Sequence, residues 1–367
     1  MEEITIKDIA RICGVGVSTV SRAINNHPDI NPETKQKVLN AIREYNYVPN
    51  NSARNLKRQD ARAVAVLVKG IGNSFFSEMI KIMEAQIKKK KYSMVLQHVD
   101  FNEDEVDVAL ELVKEKRLRG IIFLGGYFHH SEEKLAKLNV PFVLSTIGVL
   151  PREYNRHCYS SVTVNDEKES YKMVDYLIRS GHRNIAILCA KTTDASIGRL
   201  RLQGYKKALR DNGIPVREEL ILSMKPEIED YSLENGYVVA KEFLERTARL
   251  GDGRRLPCTA LYAISDALAI GAQKALAEAG IDVPGEISLA GFDGVEIGKY
   301  VTPSLTTIKQ PVEKMALETI KILFDVIEGR TAYQHRVFAG ELTVRASTRD
   351  IRPRAQKAAS TKGRNWL

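Results

Sequence analysis

Arg22, Ser18 and Val17 lie close together near the start of the chain, and each suits a different feature of a DNA base edge. An arginine fork donates two hydrogen bonds to guanine O6 and N7, a serine hydroxyl pairs with several base edges, and a valine meets a thymine methyl. Thr19, Ser21, Asn25 and Thr34 are short donors suited to phosphates, which position a protein without reading sequence. A second group runs from Pro49 to Lys57: Asn50 can cap a helix, Ala53 permits close approach, and Leu56 is an apolar wedge flanked by the charges of Arg54 and Lys57. That combination suits a widened minor groove.

The elements that must hold these residues follow from periodicity and capping. Ile6, Ile9, Ala10 and Cys13 recur at helical spacing and define the inner face of a first helix. Thr5 is its N-cap, and Asp8 favours the positive end of the helix dipole. Gly14 and Gly16 are expected to turn the backbone sharply. In the second helix Val20, Ala23 and Ile24 face inward, leaving Val17, Ser18, Ser21, Arg22 and Asn25 outside. Asn31-Pro32-Glu33 starts a third helix, with Val38, Ala41, Ile42 and Tyr45 as its buried stripe. Taken alone, this helical pattern also fits an amphipathic pair with a merely solvated polar face.

From residue 61 short apolar runs alternate with helices. Ala63–Val68, Ser93–Gln97, Gly120–Leu124 and Phe142–Ser145 form one series of strands; Ser161–Val164, Ile185–Cys189, Leu220–Ser223, Thr259–Ala263 and Ile287–Ala290 form another. Helices are expected near 75–91, 104–117 and 131–138, then near 166–180, 199–212, 233–248 and 266–279. Such alternation predicts doubly wound parallel sheets, and two series predict two lobes. Ligands in such sheets bind at the carboxyl ends of strands. Phe75, Phe76, Thr146, Ile147, Ser265 and Asp293 occupy such ends, and Arg201 opens a helix. Asp293 and Arg201 can fork hydrogen bonds to vicinal hydroxyls, and Tyr231 can stack on a sugar or base face. The competing reading makes Phe75 and Phe76 core and Arg201 a surface ion-pair partner.

Thr5-Ile6-Lys7-Asp8-Ile9-Ala10, Val20-Ser21-Arg22-Ala23-Ile24-Asn25, Tyr47-Val48-Pro49-Asn50 and Ala53-Arg54-Asn55-Leu56 resemble the headpiece of the LacI/GalR family of repressors. The resemblance continues almost to residue 349. It implies an α/β chain: a helix-turn-helix headpiece over 1–48, a hinge helix and linker over 49–60, and a two-lobed periplasmic-binding-protein-like core over 61–349. Three crossings between lobes would put about 61–160 and 292–323 in lobe 1, and about 161–291 and 324–349 in lobe 2. DNA contact is implied for Thr5, Ile6 and Tyr47 besides the donors named above. The hinge would fold only on operator DNA, with Leu56 kinking the duplex; physically, isolated helices below about 12–15 residues are marginal in water. Effector contacts are implied at Phe75, Phe76, Ile147, Arg201, Tyr231, Ser265 and Asp293. Relatives often carry Asp where Thr146 stands here. A sugar is the expected effector, with a nucleobase or another small anion as alternatives. Homodimeric binding to a palindromic operator completes the expectation.

Composition bounds these readings. The net charge is +9, but residues 1–58 carry nine Lys/Arg against six Asp/Glu, so local geometry argues more strongly for DNA than bulk charge. Lys88 to Lys91 end a helix, where cations complement the dipole. No apolar run approaches a membrane span and the first residues lack a signal-peptide core, so a cytoplasmic location is expected. Cys13, Cys158, Cys189 and Cys258 lack metal or disulfide spacing. Neither a P-loop nor a dinucleotide fingerprint nor a GxSxG elbow occurs. His129, His130 and His157 lack a Cys or carboxylate at ligand spacing. No cofactor, metal or catalytic residue is therefore expected. The tail, 350–367, is basic without a leucine heptad, and is expected to be disordered.

Overall fold

The structure, a computed structural model, describes residues 4–24, 26–45, 47, 62–126, 130–147, 158–190, 196–249 and 256–353. The chain divides into two compact units, 1–61 and 62–367.

The first unit contains α1 (Ile6–Cys13), α2 (Val17–Ile24) and α3 (Pro32–Glu44). The backbone N–H and hydroxyl of Thr5 both donate to Asp8 Oδ2, at 3.0 and 2.6 Å, closing the start of α1. That helix stops at Gly14, whose φ of 64° lies in the left-handed region that disfavours a β-carbon. Gly16, expected to share this role, has no positive φ; one glycine makes the turn. Asn31 Oδ1 accepts from the N–H groups of Glu33 (2.8 Å) and Thr34 (3.3 Å), capping α3. Ile9, Ala10, Cys13, Val20, Ala23, Val38 and Ala41 form the small core, with Ile6, Ile24, Ile42 and Tyr47 packed against it. Tyr45, expected in the stripe of α3, is 41% exposed. The helix ends at Glu44 and Tyr45 is its C-cap, so helical periodicity no longer governs its direction.

The second unit runs β1 (Ala63–Lys69), α4 (Ser74–Lys89), β2 (Ser93–Val99), α5 (Glu105–Lys116), β3 (Gly120–Leu124), α6 (Glu132–Ala136), β4 (Phe142–Ser145) and β5 (Ser160–Val164). It continues through α7 (Asp166–Arg179), β6 (Ile185–Cys189), α8 (Ile197–Asp211), β7 (Ile221–Ser223), α9 (Leu233–Arg249), β8 (Ala260–Ala263), α10 (Asp266–Glu278) and β9 (Ser288–Asp293). β10 (Thr306–Lys309), α11 (Val312–Ile327), β11 (His335–Phe338) and β12 (Glu341–Thr343) follow. Two six-stranded sheets result, ordered β11-β5-β4-β3-β1-β2 and β12-β10-β9-β8-β6-β7. The first is parallel throughout; in the second only β12 runs antiparallel. β1 explains why its apolar run is continuous. Val64, Val66 and Val68 pack with Met79, Met83 and Ile87 of α4, while Ala65 and Leu67 join Val106, Ala109 and Leu112 of α5. A strand covered on both faces has no polar side to alternate with.

Three crossings join the lobes, at places other than those expected. Ser161–Val164, assigned to the second series, pairs with β4 and β11 in the first sheet. Thr306–Lys309, within the segment expected to return to lobe 1, pairs with β9 in the second. Only α11 returns, against α4 and the first sheet, followed by β11. An apolar run signals burial on two faces without saying which sheet supplies its neighbours. Residues 350–353, placed in the disordered tail, are ordered: Ile351 N–H donates to the Ser180 carbonyl at 2.9 Å, and Arg352 pairs with Asp350 at 2.7 Å. No helix among the described residues is long and apolar enough to cross a membrane.

Candidate functional site: nucleic-acid interface and interlobe cleft

In the headpiece, burial of Val20 and Ala23 turns the rest of α2 outward. Val17, Ser18 and Arg22 are exposed, and Thr19 and Ser21 are half-buried. Thr5 is exposed, whereas Ile6 and Thr34 are half-buried; Tyr47 packs on the headpiece core. Part of the expected set thus serves packing, while Val17, Ser18 and Arg22, expected to read bases, stand exposed on α2. Asn25, Asn50, Ala53, Arg54, Leu56 and Lys57 lie outside the described residues.

In the second unit, loops at the carboxyl ends of both sheets enclose a cleft of about 750 Å³, part of it open to solvent. Phe75, Phe76, Thr146, Ile147, Arg201, Tyr231 and Asp293 all line it. Phe75 and Ile147 are also nearly buried core residues, so for Phe75 the packing and binding readings both apply. Ser265 is not among the lining residues. It is fully buried and its hydroxyl accepts from Leu268 N–H at 3.2 Å, which makes it the N-cap of α10.

Arg201 is a buried ion-pair partner, not a surface one. It is 2% exposed, donates through Nε to Asp166 Oδ1 at 2.8 Å and through Nη1 to the Ile264 carbonyl at 2.5 Å. Its guanidinium stacks 3.7 Å from the Phe292 ring centre and lies 3.5 Å from Asp293 Oδ1. Burial opposes its charge, but Asp166 and Asp293 more than compensate and raise its pKa. Asp293 Oδ1 also accepts from Gln310 Nε2 at 2.8 Å and the Asn73 side chain bears on the same carboxyl and lowers its pKa, while Oδ2 is buried with no donor in hydrogen-bond geometry. Burial pushes the Asp293 carboxyl up to about 6, against the pull of Arg201. Below it Asp266 is pushed up to about 8, by burial first and by Asp293 second.

Thr146, Tyr231 and Asp293 have φ values of 70°, 55° and 118°. Non-glycine residues there cost on the order of 1–3 kcal/mol each and cluster at ligand clamps. Each is held from outside. Thr146 N–H donates to Val162 O at 2.8 Å, and its hydroxyl accepts from Gly125 N–H at 3.2 Å. The loop carrying Glu229, Asp230 and Tyr231 is clamped by Asn235 of α9. This fully buried amide accepts from Lys225 N–H at 2.9 Å and donates to the carbonyls of Lys225 (3.0 Å) and Ile228 (3.2 Å). Tyr231 also meets Ser196 through their hydroxyls at 2.9 Å.

Sequence reasoning missed Lys69, Asn73, Phe101, Glu229 and Gln310, all of which line the cleft. Phe101 follows β2 and Gln310 follows β10, so the strand-end rule that found Phe75 would have found both. His130 also needs correction. It lacks a carboxylate at ligand spacing in the sequence, yet folding brings Glu105 Oε1 to 2.9 Å from Nε2 and Asp104 Oδ2 to 3.6 Å from Nδ1. The three groups could hold a metal ion, but two ammonium groups already balance the carboxylates. Lys134 lies 2.6 Å from Asp104, and Lys69 lies 3.3 Å from Glu105. Burial is the largest influence on Asp104 and acts to raise its pKa, but the hydrogen bonds from Lys134 and from the Asp107 and Val106 N–H groups, with the nearby His130, together hold it below the usual carboxylate value. The cluster reads as a compensated ion network fixing Lys69 at the cleft wall. His129 and His157 lie outside the described residues.

Comparison with known proteins matches both parts of the chain to described domains. Residues 5–50 match the description "Bacterial regulatory proteins, lacI family", and residues 174–348 match "Periplasmic binding protein-like domain". The chain is 42% identical over 348 residues to the HTH-type transcriptional regulator MalR of Clostridium butyricum, covering 94% of this chain and 99% of that one. A solved lac repressor dimer bound to operator and an anti-inducer superposes with a TM-score of 0.70 at 25% identity, covering 95% of this chain and 99% of that one. A CelR–cellobiose complex gives 0.67 at 26%, covering 94% and 99%.

Proposed function

The chain belongs to the LacI family of bacterial transcription regulators, and on that premise we propose that it is a dimeric repressor of a palindromic operator, switched in the cytoplasm by a sugar in its interlobe cleft. As a family member it is a DNA-binding regulator and not an enzyme. One α2 helix would enter the major groove of each half-site through Val17, Ser18 and Arg22. The Pro49–Lys57 segment would fold as a hinge helix when two copies meet on DNA, with Leu56 opening the central minor groove. The observation that carries the ligand half is the unpartnered Asp293 Oδ2 beside Arg201. A buried acceptor without a donor is costly, and a sugar hydroxyl supplies the missing donor, while Phe76 and Tyr231 offer apolar faces. Ligand binding would change the lobes' arrangement and so the equilibrium of hinge formation.

Operator titration of the Leu56→Ala protein, by anisotropy with a labelled duplex, tests the switch element. We expect specific affinity to fall at least tenfold, each tenfold being about 1.4 kcal/mol, with thermal stability of the core unchanged. Near-normal operator affinity would remove Leu56 from the mechanism.

A further inference from the structure

The charges around the cleft discriminate among ligand classes. Among the described residues two cations line it, Lys69 and Arg201, and both are spoken for. Arg201 is held by Asp166 and Asp293 at 2.8 and 3.5 Å. Lys69 Nζ donates to the Glu103 carbonyl at 2.5 Å and lies 3.3 Å from Glu105; its side chain is only 8% exposed. Three carboxylates line the same space: Glu229, Asp230 and Asp293. Asp293 presents its unpartnered oxygen at depth. Glu229 stands at the rim, where its carboxylate reaches across to Gly72 of the opposite lobe; a β-carbon at Gly72 would sit 3.6 Å from Glu229 Oε2. Among the described residues no cation pairs with Glu229.

We infer that this cleft selects an uncharged polyhydroxylated ligand over its phosphorylated or carboxylated counterparts, with Glu229 as the residue that sets the discrimination at the rim. The inference rests on the sugar-effector reading above and narrows it. Among the described residues no free cation lines the cleft, so bringing a phosphate or carboxylate in strips its water without a charge to replace it, an uncompensated desolvation. It also sets like charges against Asp293 and Glu229. A hydroxyl brings a donor to Asp293 Oδ2 and leaves the Arg201 and Lys69 pairs intact.

The test is calorimetric titration of the full-length protein with glucose, maltose and cellobiose, then with glucose 6-phosphate, maltose 6-phosphate, cellobiose 6-phosphate and glucuronate. At least one neutral probe should bind, and its anionic counterpart should bind at least about tenfold more weakly. Glu229→Lys should narrow that gap by about tenfold, read as the ratio of the two affinities within the variant, whose melting temperature, unchanged from wild type, shows that it is folded. Glu229→Gln should narrow it less. An anionic probe binding as tightly as its neutral partner would overturn the inference while leaving the effector reading in place. Binding by none of the probes would overturn the effector reading and the inference with it. A gap unmoved by Glu229→Lys would overturn the role of Glu229.

Discussion

Arg22 and Asp266 show how far a single side chain's role follows from its surroundings. Arg22 is exposed on α2, the helix proposed above to enter the major groove. Arg22→Ala should therefore lose about 1–3 kcal/mol at one base position of the operator, as expected for a bidentate guanine contact. A panel of single-base operator variants distinguishes this from a phosphate contact, which would weaken all sequences alike. Asp266 is a matter of stability. Its Oδ2 accepts from the Gly294 and Val295 N–H groups, both at 2.8 Å, and its Oδ1 from the Thr307 hydroxyl at 2.6 Å. Burial and Asp293 nevertheless push its pKa up to about 8 from 3.8. Between those values the folded protein holds a proton that the unfolded chain has lost, so stability from this group falls as pH rises through the window. Asp266→Asn keeps the acceptor for both N–H groups and removes the titration. Its melting temperature relative to wild type should therefore climb from pH 5 to pH 8.5; a constant difference would mean that Asp266 is ionised throughout. None of this was legible in the sequence. Its local sequence does not single Asp266 out, because its neighbours Asp293 and Thr307 come from elements far along the chain.

Helices and strands were far more legible than their partners. The predicted helices from 75–91 to 266–279 fall within a few residues of α4 to α10, because each combines a cap with an apolar stripe. Lobe membership was not readable. β5 and β10 each sit beside a crossing, and their apolar runs fit either sheet equally well. Helix-to-helix approach was also hidden, since a glycine inside a helix looks like a weakness. Gly271 of α10 and Gly236 of α9 mark where those helices touch: a β-carbon at Gly271 would overlap the Leu233 carbonyl, and one at Gly236 the Leu268 carbonyl. Overpacking a close contact costs about 1–3 kcal/mol, so Gly271→Ala should destabilise the core by that amount in urea unfolding, despite alanine's better helix propensity. Because Asn235 of α9 clamps the loop bearing Glu229 and Tyr231, sugar affinity should fall as well. A variant as stable as wild type, with normal ligand affinity, would mean that the two helices part without consequence.

At the scale of the whole molecule, the chain carries two binding functions on separate units, and regulation requires a free-energy link between them. Neither the exposed α2 face nor the cleft supplies that link by itself; the route proposed above is the Pro49–Lys57 hinge. The sign of the coupling is not set by the residues of either site, but its symmetry is set by thermodynamics. If ligand changes operator affinity by some factor, operator must change ligand affinity by the same factor in the same direction, commonly about 5–150-fold. Both halves of the cycle are measurable on the intact protein: operator titrations with and without saturating sugar, and sugar titrations with and without saturating operator duplex. Equal factors well above one are expected. With residues 1–60 deleted, sugar affinity should match that of the DNA-free full chain and no longer respond to operator. If neither affinity responds to the other ligand in the intact protein, the cleft is not the sensor for the DNA-binding unit.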